Sequence, residues 1–202
     1  MALASIFGQR TDTIDSSVLP KDASGAEAFR NRLNELLPSA RTAKNVALSG
    51  AQRASDVMGL LGDYWESDIS GLGDDYAFLV FGQSELFDDT GAPDEGASTE
   101  PRIIVIVEVA DATAISQGVS FWETGGRMAS EARYVFDFDP SRATTEAFSD
   151  AAYRQIPLRY QNYAYADRSL DWGIVPASNG SNYLVISNSR QSFFFALDQL
   201  LK

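Results

Sequence analysis

Hydrophobic positions along this chain follow two periods. From Ile103 to Val109, six of seven residues are Ile or Val, and a continuous apolar run of that length reads as a strand covered on both faces. Asp111 stands where an N-cap belongs, and Ile115, Val119 and Trp122 then recur at i, i+4 and i+7, one stripe of a helix. Upstream, Ser24 with Glu27 spells a capping box, and Phe29, Leu33, Leu36 and Leu37 form a helical stripe closed by Pro38. Ser49 with Gln52 repeats the cap ahead of Ala54, Val57, Met58, Leu61 and Trp65. Strands are predicted at Tyr76 to Phe81, Leu158 to Tyr165, Leu170 to Val175 and Tyr183 to Ser187, the last two joined by an Asn179-Gly180 turn. Residues 127 to 138 read either as helix or, at Tyr134 to Phe138, as a short strand. Residues 141 to 153 read as a weakly amphipathic helix through Ala147, Phe148 and Ala151. A last helix starts at a Ser189 cap and buries Phe193, Leu197, Leu200 and Leu201.

These elements predict an α+β fold, a two-layer sandwich with an antiparallel or mixed sheet of about five strands and helices mainly on one face. Residues 1–23 read as a flexible lead-in, 24–70 as a helical hairpin packed on the domain, and 71–202 as the α+β domain itself. Residues 88–100, DDTGAPDEGASTE, carry five acids, two Gly and a Pro and read as a long, solvated, mobile loop. A shift of 78 positions lays Asp111 on Ser189, Ile115 on Phe193, Val119 on Leu197 and Trp122 on Leu200. That echo predicts two half-units, each ending in a helix on the same sheet face.

Composition removes several chemistries. The 202 residues include neither Cys nor His, so disulfides, thiolate zinc sites, cysteine nucleophiles and imidazole acid/base catalysis are all absent. The net charge of −12 argues against nucleic acid or an anionic membrane as partner. No run of 18 apolar residues occurs, so nothing in the sequence reads as a membrane span. The opening MALASIFG lacks the basic start of a signal peptide and reads as an abrupt beginning, as if an upstream portion were missing.

One stretch carries candidate chemistry. Tyr134-Val-Phe-Asp-Phe-Asp-Pro-Ser141 resembles the way haloacid-dehalogenase-type phosphatases present a nucleophile, here Asp137, and an acid/base, here Asp139, to magnesium and phosphate. Ser141 replaces the usual Thr, and too little chain follows to complete such a domain. Asp139-Pro140-Ser141 also reads as a turn and cap. Glu108, inside the apolar strand, and Glu123, at the end of the following helix, read as structural carboxylates that mark the strand end or pair with an Arg, Arg102 and Arg127 being candidates.

The order of pieces carries a family resemblance. The apolar strand Ile103 to Val109, the Trp122-Glu123 pair on the helix after it, and the late strand Tyr183 to Ser189 before a last helix resemble the extracytoplasmic domain of uncharacterised membrane-anchored proteins of candidate-phyla (Patescibacteria) bacteria. The likeness spans about residues 74–202. It implies an upstream transmembrane anchor and an extracytoplasmic or cell-surface setting, with no known activity.

The expected function is a non-catalytic binding or scaffolding module of a bacterial cell envelope, without cofactor or metal. Its partner is expected to be another protein or an envelope component. The alternative is a metal-dependent, phosphatase-like hydrolase using Asp137 and Asp139. Along the strand at 158–165 one face carries Leu158, Tyr160, Asn162 and Ala164. The other carries Arg159, Gln161, Tyr163 and Tyr165, which are expected to stand on the open side of the sheet as a partner-binding surface.

Overall fold

The computed structural model describes residues 2–15, 17, 19–20, 23–66, 70–88, 92–94, 98–145, 147–163 and 168–202. Its elements in chain order are α1 (Ala2–Phe7), β1 (Asp12–Ile14), α2 (Ala23–Glu35), β2 (Ala43–Leu48), α3 (Ala54–Leu61), β3 (Leu72–Gln83), β4 (Glu100–Val109), α4 (Ala112–Glu123), α5 (Arg127–Ala132), β5 (Ser149–Tyr153), β6 (Ile156–Asn162), β7 (Ser169–Pro176), β8 (Asn182–Ser187) and α6 (Arg190–Leu200). The strands form one mixed sheet of eight, ordered β1-β2-β3-β4-β8-β7-β6-β5. Only β1 and β2 run parallel; every other neighbouring pair is antiparallel.

The fold is α+β, as the sequence predicts, but the sheet has eight strands rather than about five. The predicted five are the interior strands β3, β4, β6, β7 and β8. The three that add to them are edge-side strands with weak apolar signals, Asp12–Ile14, Ala43–Leu48 and Ser149–Tyr153. Residues 1–23 are therefore not merely a lead-in. Leu3 and Ile14 are fully buried, and β1 is zipped to β2 through Asp12↔Val46 and Ile14↔Leu48. The stretch 24–70 is not a helical hairpin either, because β2 lies between its helices and belongs to the common sheet. The helix expected over 141–153 is a short 3-10 turn at Pro140–Arg142 followed by β5. Of the acidic stretch 88–100, residues 89–91 and 95–97 lie outside the described residues.

Helices cover both faces of the sheet. On one face, Val105 and Val107 of β4 and Leu184 and Ile186 of β8 pack with Phe29 and Leu33 of α2, Val57 and Met58 of α3, Val119 and Trp122 of α4, and Met128 of α5. On the other, Ile104, Ile106, Tyr183 and Val185 pack with Leu3 of α1 and with Phe193, Leu197 and Leu200 of α6. Alternation along a central strand thus feeds two cores. This is why the Ile/Val run of β4 carries no polar face, each buried aliphatic side chain contributing roughly 1.5–3 kcal/mol. Among the described residues no helix is long and apolar enough to cross a membrane.

The caps predicted at Asp111 and Ser189 are present, whereas α3 is capped at Arg53 rather than at Ser49, and α2 already begins at Ala23, ahead of Ser24. Asp111 accepts from the backbone N–H groups of Thr113 and Ala114, and Ser189 accepts from that of Ser192. Gly125 and Gly126, at φ 69° and 73°, turn the chain between α4 and α5. The two echoed helices nevertheless sit on opposite faces, not the same one. An antiparallel pair such as β4 and β8 is exchanged only by an axis perpendicular to the sheet, which keeps each side chain on its own face. The shift of 78 instead carries Val105 and Val107, under α4, onto Tyr183 and Val185, under α6. The echo is one local strand-cap-helix rule used twice, without a closed internal symmetry.

Candidate anion-binding site

The end of the sheet where β4 begins and β8 ends carries a cleft of about 600 Å³. One wall is a face of α2 (Ala23, Ala26, Arg30 and Asn34, spaced by three or four residues). The facing wall is the segment Tyr134 to Arg142, and Glu100, Pro101 and Arg102 of β4, with Tyr163 and Arg168, complete the lining. Four arginines and three carboxylates thus meet in one recess of a protein whose net charge is −12.

The wall at 134–142 is held from three sides. Its backbone continues the turns of α5, Phe136 N–H donating to Ala132 and Phe138 N–H to Arg133, so it is not the short strand read from YVFDF. Consecutive Val135 and Phe136 are both buried, which a strand with one covered face would not allow. Asn188, just past β8, donates to the Phe136 carbonyl and accepts from Ile103 N–H, each at 2.8 Å. That one buried amide ties the turn to β4. Beyond it Asp137 adopts φ 52°, a left-handed conformation that Asp tolerates better than most residues. Phe138 then stacks on Tyr163, ring centroids 4.5 Å apart.

Asp137 lies between two arginines. Arg30 donates from Nε at 3.1 Å and from Nη2 at 2.6 Å to its two carboxylate oxygens, a two-point fork. Arg168 stands 3.5 Å from the same carboxylate and donates to the Asp137 carbonyl at 3.0 Å. Glu100 in turn bridges Arg168, at 3.4 Å, and Arg102, at 2.9 Å. Charges therefore alternate along the recess in the order Arg30, Asp137, Arg168, Glu100, Arg102. Burial pushes the Asp137 carboxyl upward, but the Arg30 hydrogen bond and the charges of Arg168, Arg30 and Arg102 outweigh it and hold it below the ordinary carboxylate range. Asp139 is held low by the Ser141 hydroxyl and backbone N–H that it accepts from. It caps the 3-10 turn, the structural half of the sequence reading.

The chemistry open to this arrangement follows from those partners. Asp137 and Asp139 line the same cleft, yet the charge facing Asp137 is guanidinium, and Asp139 is committed to its cap. Among the described residues no three His, Cys, Asp or Glu side chains gather in a way that could hold a metal ion. Arg30, by contrast, retains capacity. Arg30 uses Nε and Nη2 on Asp137, and among the described residues nothing accepts from its Nη1, leaving a donor pair on a side chain that is half exposed.

The partner-binding surface expected on β6 is not an open face. Tyr163 is 3% and Gln161 7% exposed. The segment after the 3-10 turn lies against them, with Ala143 bridged to Tyr163, Thr144 N–H donating to Asn162, and Gln161 donating to the Thr145 carbonyl. Arg159 on the same face is drawn inward by Glu123, which also accepts from the Trp172 indole at 3.0 Å, and by Asp150 at 2.6 Å. Glu123 therefore pairs with Arg159 rather than with Arg102 or Arg127. Among the described residues Glu108 takes no arginine: it accepts from Asp74 and Asp75 N–H at 3.2 Å at the strand end, where the β3–β4 register is broken. A Cβ at Gly73 would lie 2.6 Å from Glu108 Cγ, so any larger residue at that break has to displace the Glu108 side chain. Tyr165 lies outside the described residues. Tyr163 reaches the candidate site from beneath, as the ring under Phe138.

No family model matches the chain, and no curated protein or solved structure matches it either.

Proposed function

We propose that the chain is a non-catalytic binding module that captures an anionic group in the cleft between α2 and the 134–142 segment. The observation that carries this reading is the convergence of Arg30, Arg102, Arg142 and Arg168 on a recess that holds three carboxylates, against the −12 charge of the whole protein. A locally positive recess on an acidic body attracts an anion at short range, while screening over about 8 Å mutes the repulsion from the rest of the surface. The sequence resemblance adds the setting, an extracytoplasmic module of a bacterial envelope whose partner is a protein or envelope component. The metal-dependent hydrolase keeps one supporting observation, the shared cleft of Asp137 and Asp139. The guanidinium partners of Asp137 weigh against it, because they fill the electrostatic role a cation would take.

Backbone NMR with added citrate or inorganic phosphate tests the reading. Shifts confined to α2, the 134–142 segment and Arg168 support anion capture, and no shift below tens of millimolar anion defeats it. A magnesium titration read in the same way serves the alternative, which requires shifts at Asp137 and Asp139 that disappear in Asp137→Asn.

A further inference from the structure

We infer that the natural occupant of the cleft is the C-terminal end of a peptide chain, a free carboxylate borne directly on an apolar residue. This deepens the anion-binding reading and rests on it.

Three observations select this chemistry. The recess already seats a carboxylate, since Arg30 grips Asp137 through Nε and Nη2. That is the planar fork that suits a carboxylate, and Arg168 backs it from the other side. Aromatic surface begins one residue away, where Phe138 stacks on Tyr163 and Tyr134 and Pro101 extend the apolar lining. A terminal residue carries its carboxylate on the same carbon as its side chain and so matches that short separation. A Glu side chain holds its charge two methylenes further out. The recess is also elongated. The α2 wall from Ala23 to Asn34 rises roughly 16 Å at 1.5 Å per residue, about five residues of extended peptide at 3.3 Å each. A compact inorganic ion leaves most of that length unused.

In the bound state the incoming carboxylate takes the Nη1 side of Arg30 and the outer edge of Arg168. Asp137 keeps its own bonds and fixes the orientation of both guanidiniums. The terminal side chain lies against Phe138 and Tyr134, and the preceding residues run along α2.

Fluorescence anisotropy with a labelled hexapeptide ending in Leu-Phe tests this on the full chain. Its free-acid form, its C-terminal amide, and an amide carrying an internal Glu are compared. Free acid binding at least about tenfold tighter than either amide, with the margin abolished in both Arg30→Gln and Arg168→Gln, is the expected result. Circular dichroism melting of the two variants establishes that they are folded. Equal binding of acid and amide overturns the inference, and so does equal binding of the free acid and the internal-Glu amide. Displacement of nothing by peptide, while inorganic phosphate shifts the cleft residues, overturns the peptide assignment and leaves anion capture standing. Absence of binding by every anion overturns both.

Discussion

Two carboxylate–arginine pairs of the same chemical type lie on opposite faces of this sheet and behave in opposite ways. Asp137, facing Arg30 and Arg168, has a side chain one-third exposed, and its carboxyl is held low. Asp171 on β7, facing Arg190 at 2.6 Å, is fully buried. Burial pushes that carboxyl up, and Arg190 and the Ser169 hydroxyl only partly offset the push. Arg190 itself stays one-third exposed, its guanidinium 4.3 Å from the Tyr160 ring centroid and 5.7 Å from that of Phe194. Solvent access decides the difference. Where water still reaches the carboxylate, the charges cost little to keep and stay available to a ligand. Where it does not, the pair is committed to holding α6 on the sheet.

The largest effect is expected on the buried side. Arg190→Gln leaves Asp171 buried without its cation and should destabilise the fold by about 3–4 kcal/mol in urea unfolding at neutral pH. The loss should shrink as pH falls, because the orphaned carboxyl takes up a proton. A loss under 1 kcal/mol would place the pair in the same class as a surface ion pair and erase the contrast.

Tyr163→Ser comes next. It removes a buried ring from under Phe138 and should cost about 3 kcal/mol of stability while weakening anion capture, since the 134–142 wall loses its floor. An unchanged melting temperature would contradict the placement of Tyr163.

Carboxyl titration sharpens the comparison directly. Asp137 is depressed in the fold, so its stabilisation is complete above the unfolded carboxyl range near ~3.9 and fades as pH falls through its lower folded value. Asp171 is raised, so it carries no penalty below that range and costs stability as pH rises from ~3.9 through its folded value. Carbon-13 NMR should place Asp137 below and Asp171 above the ordinary carboxyl midpoint. The reverse order would remove solvent access as the explanation.

Much of this arrangement was legible in the chain, and the limits have physical causes. The both-face burial of β4 and the Asp111 and Ser189 caps depend on neighbours within a few residues, and all of them read correctly. The strands β1, β2 and β5 did not. DTI is too short to show a period, AKNVAL sits between two helices, and SDAAY carries alanines that suit a helix equally well. The β6 surface failed because alternation tells which side chains share a face, not what covers that face. Its cover, residues 143–145, carries no apolar stripe to announce itself. The DxD stretch drew attention to Asp137, but its chemistry is set by Arg30, 107 positions earlier, and by Arg168. No local pattern encodes such a meeting. The surplus of arginine over carboxylate in one recess emerges only when α2, β4 and the β6–β7 end are brought together.

The smallest stability effect belongs with the largest functional one. Arg30 is half exposed, so Arg30→Gln should cost less than about 1 kcal/mol of stability. The most direct test is the dissociation constant of one free-acid peptide for wild type, Arg30→Gln and Arg190→Gln, measured where all three are folded. A cleft that binds through its exposed guanidiniums predicts an affinity about tenfold weaker or worse in Arg30→Gln and essentially unchanged in Arg190→Gln. Equal affinity in all three proteins, or an equal loss in both variants, would contradict it.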